Sequence, residues 1–521
     1  MRGGDRRAGG RKQGDYAFHI GFILPLTDKY LLANILREVE SGMKRRPLTA
    51  IVGLCAIVSA CGGGGGSGGT TSGSGTGTAT PTPTSSACSL RSRQDWAAAQ
   101  LREWYLFPET LPASLDPSPY ATVSDYIDAL TATARAQRRD RYFTYLTSIA
   151  EEDAYYSSGS SAGFGIRLSV DPAANRVFVS EAFEGAPALA AGIDRGTEIL
   201  AIGTSAGSLR AVSAIIASSG SAGVTDALGP STAGTTRVLR ISDAAGTREV
   251  TVTKADYELT PVSSRYGAKV IDDGGRKVGY VNLRTFISTA DPALRTAFAT
   301  FRAQGITEVV VDFRYNGGGL ISTAELMGDL LGGNRSTSDV FDYITFRPEK
   351  SAENSVRYFA PQPQSVSPMR LAFIGTGGTA SASELVINAF TPYLHANSAL
   401  IGTNTYGKPV GQIALDRAAC DDRLRVIALA TENAAHQGTY FDGLASKMEA
   451  SCQAADDLGY PLGDAREAST RQALDFLAGR SCTPISGSTS AARSARGAIE
   501  QRELLSPERP STAQREVPGL F

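Results

Sequence analysis

The chain has 521 residues, with 51 Lys and Arg against 52 Asp and Glu and a formal charge of −1. That balance leaves no electrostatic footprint for nucleic acid or a generally anionic partner, and the length allows two or three domains around a large core. Only three histidines exist, His19, His395 and His436, so chemistry that needs imidazole has few places to occur.

Residues 1–42 look foreign to a mature fold and are expected to be an extension ahead of the true start. Met43-Lys-Arg-Arg-Pro begins a signal peptide over 43–61, with a basic start and then an apolar run at 48–60. That run is too short to span a bilayer comfortably. It ends Val58-Ser-Ala-Cys61, which resembles a bacterial lipoprotein box. The resemblance implies cleavage behind Ala60, lipid on Cys61, and anchoring to a membrane of the bacterial cell envelope, facing the periplasm or exterior. Residues 62–87 are rich in Gly, Ser, Thr and Pro, cannot bury a core, and read as a flexible tether.

Cys55 goes with the signal and Cys61 with the lipid, leaving Cys88, Cys420, Cys452 and Cys482. An even number in an exported chain favours disulfides over metal ligation, and no Cys-x-x-Cys occurs. Three pairings are open; Cys420–Cys452 with Cys88–Cys482 is the expected one. Residues 88–158 carry helical patterns with aromatic clusters, and form a small N-terminal helical domain. From 159 to 256 the pattern changes to short strands and glycine turns. Residues 257–482 alternate strands and helices: a strand at 278–283, a helix at 291–304, a buried strand at 308–312, a glycine turn, and a helix at 320–331. The stretch 333–368 reads as an irregular aromatic-containing insertion, a lid or substrate wall. The tail, 483–521, is rich in Ser, Ala, Arg and Pro and is expected to be disordered.

The stretch 371–412 organises the rest. An apolar run, Leu371-Ala-Phe-Ile374, leads through a Gly/Thr turn into a helix, which places Ser381 at a helix N-terminus. Unpaired N–H groups and the helix dipole favour negative charge there, which suits a nucleophile whose attack creates an oxyanion. Taken singly, Ser381 could simply cap the helix and Lys408 could be an ordinary turn lysine. The combination is more specific. Ser381-Ala382-Ser383-Glu384, Gly407-Lys408 followed by Gln412, and Asp312-Phe-Arg-Tyr-Asn-Gly-Gly-Gly319 together resemble the motifs of the S41 family of C-terminal processing peptidases.

The resemblance implies an α/β fold with a ClpP/crotonase-like catalytic core, a PDZ domain and the N-terminal helical domain. It implies endoproteolysis of exported polypeptides through an acyl-enzyme, with Ser381 as nucleophile, Lys408 as general base and Gln412 orienting the lysine. The Gly318 and Ala382 N–H groups would form the oxyanion hole. Gly163-Phe164-Gly165-Ile166 resembles the carboxylate-binding loop of PDZ domains, and the segments at 185–193 and 196–202 follow it in the family's order. A PDZ domain captures a substrate C-terminus by adding it as a strand to a sheet edge. No metal or cofactor is implied. A phosphate-cradling loop at the glycines is disfavoured because the Gly-x-x-x-x-Gly-Lys-Ser/Thr pattern is missing. A histidine base is disfavoured because neither His395 nor His436 sits in a triad-like motif. Two rival functions remain in view: a catalytically silent peptide-binding protein, and an acyl-CoA enzyme of the crotonase class.

Overall fold

The computed structural model describes residues 86–486 and 502–521. The expected extension, the signal peptide, the lipidation site at Cys61 and almost all of the tether lie outside the described residues.

The run Glu308–Asp312 is apolar on consecutive residues because it is a central parallel strand covered on both faces. Val309 and Val311 face one hydrophobic cluster and Val310 the other, all fully buried. The six-stranded sheet runs Ala268–Asp273, Arg276–Asn282, Glu308–Asp312, Arg370–Gly375, Ser398–Gly402, Ala450–Gln453. All neighbours are parallel except the first hairpin. Helices Ala290–Ala303, Ile321–Leu331 and Ala382–Leu394 cover one face, through Leu294, Phe298, Met327, Leu330, Val386 and Phe390. Helix Ala468–Leu477 covers the other through Leu474 and Leu477. In such a sheet the loops beyond the strand C-termini meet in a crevice. Here Asp312, Gly375 and Gly402 end neighbouring strands and feed the three loops of the site.

A second, antiparallel sheet is built on the long strand Asp422–Glu432, flanked by Tyr145–Ser148, Val410–Arg417 and Val340–Phe346, with Ser355–Tyr358 outside. Two expectations are corrected by it. The stretch 333–368 contains a strand pair rather than an irregular insertion: Val340-Phe-Asp-Tyr-Ile-Thr-Phe346 is β-branched and aromatic, and it pairs with Asp422–Glu432. The N-terminal residues are mostly helical, yet their strand Tyr145–Ser148 is hydrogen-bonded to residues 422–425. Leu101, Tyr105 and Ile127 share a core with Val410, Leu424 and Val426. They therefore pack as part of the body built on the second sheet.

Residues 160–258 form a separate layer, supplying six strands of a seven-stranded sheet, and enter and leave it through the antiparallel pair Ser160–Gly163 and Ala255–Glu258. Its strands include Ile166–Asp171, Arg176–Ala182, Glu198–Gly203, Thr236–Asp243 and Gly246–Thr253, with helix Val212–Leu228 against them. Buried arginines join this layer to the parallel sheet. Arg284 pairs with Glu181 at 2.7 Å and Glu184 at 2.6 Å, and Arg167 lies 3.3 Å from Glu181 and donates to the Tyr315 carbonyl at 2.6 Å. Buried charges of this kind persist only when paired, so the two layers are locked at the turn that precedes the glycines.

The disulfide expectation was right in number and wrong in pairing. Cys88 joins Cys420 and Cys452 joins Cys482, with Cα atoms 5.5 and 5.4 Å apart. The reason is the second sheet: the short turn Ser86–Cys88 stands beside the turn Ala418–Cys420, where Arg417 donates to the Ser92 carbonyl at 2.8 Å. Cys452 lies on the edge strand, and the chain leaving the last helix runs alongside it, with Gln453 N–H donating to Thr483 at 2.8 Å. The tail is also corrected. Residues 502–521 are ordered, with Leu505, Val517, Leu520 and Phe521 buried, and the strand Glu503–Leu504 adds to Ile166–Asp171. Residues 487–501 lie outside the described residues.

Candidate active site

Three loops converge at the C-terminal edge of the parallel sheet. Their main chains are tied together: Ala380 N–H donates to Asn316 O at 3.0 Å, Tyr406 N–H to Thr379 O at 2.9 Å, and Ser383 Oγ to Asn316 O at 3.0 Å. Ser381 caps helix Ala382–Leu394 with φ 54° and ψ −116°. A side chain rarely adopts that backbone, and such strain persists only where surrounding contacts over-determine it. The first helical N–H, that of Ala382, has no hydrogen-bond partner among the described residues. An anion developing on Ser381's target would meet that N–H and the positive end of the helix.

Lys408 is half-buried, and its Nζ donates to Gln412 Oε1 at 3.0 Å. Gln412 is fixed in turn, because its Nε2 donates to the Phe143 carbonyl. The Phe143 ring lies 5.1 Å from Nζ. Burial drives the Lys408 pKa below the ordinary 10.5, partly opposed by the carboxylate of Glu516. The structure thus links the sequence-predicted residues through hydrogen bonds: Ser381 N–H and Lys408 N–H share the Glu384 carboxylate, and Lys408 Nζ meets Gln412. No hydrogen bond joins Ser381 Oγ to Lys408 Nζ among the described residues.

Gly318 is corrected as an oxyanion donor in this conformation, since its N–H is committed to Asn316 Oδ1 at 2.9 Å. Its contribution is clearance. A Cβ there would sit 2.8 Å from Ser381 Cβ and 3.2 Å from Oγ, so only glycine lets the loop approach Ser381 this closely. The neighbouring Gly317 N–H is the one that points outward, and it donates to the Glu516 carbonyl at 2.9 Å.

Several residues went unassigned in the sequence reading. Glu384 is fully buried and accepts from Ser381 N–H at 3.1 Å, Gly407 N–H at 2.7 Å and Lys408 N–H at 2.7 Å. One carboxylate therefore holds the backbones of Ser381 and Lys408 together. Desolvation pushes its pKa up, while Thr405 and these N–H donors oppose the shift. Arg141 donates to the Tyr406 carbonyl at 2.7 Å and the Gly407 carbonyl at 2.5 Å, and lies over the Tyr406 ring at 4.0 Å. The turn carrying Arg141 and Phe143 is anchored by buried Asp140, which accepts from Phe143 N–H at 2.7 Å and Tyr105 OH at 2.8 Å. Glu384 was visible as the fourth residue of the Ser-Ala-Ser-Glu motif; Arg141 and Phe143 had no local signal.

The histidines stand apart. His395 and His436 are exposed, His395 paired with Glu449 at 2.7 Å and His436 stacked on Tyr343 at 4.3 Å. Among the described residues no group of three or more His, Cys, Asp or Glu could hold a metal ion.

The site thus sets a strained serine at a helix N-terminus and a half-buried lysine on one shared carboxylate, on a mixed α/β fold. Residues 277–435 match Peptidase family S41, and the chain carries a domain of that family. It is 27% identical over 253 residues to a carboxyl-terminal-processing protease of Picosynechococcus sp., covering 48% of this chain and 55% of the relative. It is 28% identical over 271 residues to a chloroplastic C-terminal processing peptidase of Tetradesmus obliquus, covering 50% and 54%. The chain spans about half the length of the curated relatives it matches. A solved structure of a Bacteroides fragilis protein assigned to the S41 proteases shares the fold, with a TM-score of 0.57 at 23% identity over 74% of this chain and 97% of that one.

Proposed function

We propose that this protein is a serine endopeptidase that cleaves polypeptides through an acyl-enzyme, with Ser381 as nucleophile and Lys408 as general base. The observation that carries the reading is the shared clamp: Glu384 holds Ser381 N–H and Lys408 N–H on one buried carboxylate while Gln412 holds Lys408 Nζ. A base must be neutral to accept a proton, and burial of Lys408 favours the neutral amine. Ser381 Oγ forms a bond to the scissile carbonyl carbon as its proton passes to Lys408 Nζ. The carbonyl oxygen becomes an oxyanion beside Ala382 N–H. Collapse breaks the C–N bond, and Lys408 returns the proton to the leaving amine. Water then attacks the ester by the same proton route in reverse. Gly317 N–H is placed to hold a substrate carbonyl, as it holds that of Glu516.

The seven-stranded layer is read as a PDZ domain, with the Gly163–Ile166 loop receiving polypeptide ends at the edge of strand Ile166–Asp171. The order of the three glycine-containing segments supports this. Lipid attachment at Cys61 and residence in the cell envelope are supported by the basic-apolar-Val-Ser-Ala-Cys order and by two disulfides in the fold. No helix among the described residues is long and apolar enough to cross a membrane, which leaves the lipid as the anchor of this proposal. Peptide hydrolysis by Ser381→Ala and Lys408→Ala, each checked for folding, tests the reading; turnover retained by either variant refutes it. Mass spectrometry of membrane-extracted protein tests the anchor, and an unmodified Cys61 refutes it.

A further inference from the structure

The tail occupies the places where a substrate would have to go. Two pieces of it lie along the same edge strand, Ile166–Asp171. Glu503 and Leu504 pair with Val170 and Ser169, and Leu505 N–H donates to Leu168 O at 3.0 Å. The chain then leaves the edge and returns at Gly519, whose carbonyl accepts from Leu168 N–H at 2.8 Å. Phe521 N–H donates to Ile166 O at 2.9 Å, and the Phe521 main-chain oxygen accepts from Gly165 N–H at 2.9 Å and Ile166 N–H at 3.2 Å. This is strand addition ending in a loop of N–H donors. Gly163 is needed for it, since a Cβ there would lie 2.9 Å from the Phe521 main-chain carbon. The Phe521 side chain is buried with Phe164 and Ile166, and Leu520 with Phe183 and Tyr257.

The excursion between the two pieces covers the catalytic cleft. Its short helix, Thr512–Glu516, sets the Glu516 carbonyl on Gly317 N–H and buries the Glu516 side chain, which accepts from Tyr156 OH at 3.1 Å. Arg515 lies over the Tyr145 ring at 3.8 Å and donates to the Tyr142 carbonyl at 2.8 Å. A cavity of ≈ 850 Å³ remains beneath, lined by Ala380, Lys408 and Gly317 on one side and Leu504, Arg515 and Glu516 on the other. The tail does not present itself as a substrate, because at Gly317 it is helical and not extended.

We infer that residues 502–521 are a resident intramolecular inhibitor: Gly519-Leu520-Phe521 fills the edge-strand groove, the preceding residues cover the Ser381/Lys408 cleft, and a polypeptide segment carrying large apolar residues at the same two positions must displace them. The inference rests on the peptidase reading for its consequence, though not for the contact itself. Glu516 strengthens the block. Its carboxylate favours the protonated form of Lys408, and an ammonium cannot take the serine proton. The absence of a Ser381–Lys408 hydrogen bond fits a site held in this covered state.

The test uses the full chain, with Leu520→Asp plus Phe521→Asp in one variant and Gly519→Val in a second. Both leave the groove and the catalytic residues untouched. Gly519 has φ +89° and a Cβ there would lie 2.9 Å from both Arg167 Cγ and Leu168 O, so the second variant expels the tail sterically if the first perturbs folding. Two readouts are taken: polarisation of a labelled peptide of residues 511–521, and hydrolysis of an unrelated peptide substrate. Removing a competitor that occupies nearly all molecules restores apparent affinity by the fraction released, so both variants should bind the peptide about ten- to a hundredfold more tightly than the parent. Hydrolysis should rise by a similar factor. Unchanged binding and unchanged hydrolysis in folded variants would overturn the inference. So would cleavage within 506–518 that disappears in Ser381→Ala, since the tail is then a substrate. Tighter peptide binding with no hydrolysis by any form would uphold the tail inference and sink the peptidase reading.

Discussion

Replacing Glu384 by glutamine separates positioning from chemistry, because Glu384 is buried and holds Lys408 by its main-chain N–H and not by its side chain. Its two oxygens accept from Ser381, Gly407 and Lys408 N–H, and from the Thr405 hydroxyl. Glutamine keeps one oxygen and points an NH2 group at the remaining donors, so at least one buried N–H loses its acceptor. A hydrogen bond to a charged group is worth about 1.5–3 kcal/mol, and a buried donor left unsatisfied costs about 1–3 kcal/mol. Glutamine also removes a buried charge whose desolvation raises the Glu384 pKa, which offsets part of the loss. The expected fall in stability is therefore on the order of 2 kcal/mol, with the fold retained. The larger effect should be on rate. Releasing the Gly407–Lys408 turn from Ser381 lets the base drift, and a displacement of about 1 Å can cost on the order of 10²-fold in rate. Peptide hydrolysis and thermal unfolding of Glu384→Gln measure the two effects separately. The pH–rate profile should also move, since the environment of Lys408 changes, and a merely structural defect would leave its shape alone. A folded Glu384→Gln enzyme with parental kcat and an unshifted profile would refute the clamp.

Lys408→Ala and Lys408→Arg should each abolish turnover about as completely as Ser381→Ala, since guanidinium stays protonated and the pair acts as a unit; folded His395→Ala and His436→Ala should keep substantial activity, and a dead histidine variant would move the base to imidazole. The parental rate should rise with pH through an apparent pKa below 10.5, because activity needs the neutral amine and burial lowers the lysine pKa; a flat profile across that range argues against a lysine base. Asp342 has both carboxyl oxygens buried without partners, and burial next to Glu325 pushes it up to about 7 from 3.8. The folded state then holds its proton more tightly than the unfolded chain, so this group's contribution is present at acid pH and is lost as pH climbs from about 4 to about 7. Asp342→Asn should unfold like the parent at pH 4 and gain on it up to pH 7, by on the order of 4 kcal/mol, with no further gain above; equal unfolding curves at pH 8 would count against this. Removing the 88–420 bridge by Cys88→Ser with Cys420→Ser should cost about 2–4 kcal/mol in denaturant unfolding under oxidising conditions, and no loss would mean the pairing contributes nothing.

What the sequence revealed was local. Ser381 could be placed at a strand-to-helix turn because an apolar run, a Gly/Thr turn and a helical pattern follow one another within twenty residues. Lys408 and Gln412 were legible for the same reason, four residues apart, with Lys408 just before the strand Val410–Arg417 and Gln412 within it. The disulfide pairing failed because it depends on the second sheet, where residues 86–88 meet 418–420 across more than three hundred residues of chain. The strand Val340–Phe346 was hidden by the turns around it, and its partner Asp422–Glu432 is distant in sequence. Arg141 and Phe143 looked like parts of an aromatic core cluster, and Phe143 is, yet the same turn presents the Arg141 guanidinium to the Tyr406–Gly407 carbonyls and the Phe143 carbonyl to Gln412.

The tail is the most instructive miss, because composition gave the wrong answer for a physical reason. Over 483–521 the average is polar and Pro- and Ser-rich, which argues against an independent core. The segment does not need one. Leu505, Val517, Leu520 and Phe521 bury themselves in pockets already built by the strands of residues 166–253 and the neighbouring aromatic cluster. Between those anchors the segment is held by main-chain hydrogen bonds to one edge strand and by contacts to side chains of other elements. Pockets and an edge built by another part of the chain can be filled equally by a second polypeptide of the same pattern. The property that hid the tail from a compositional reading is therefore also the one that makes it displaceable.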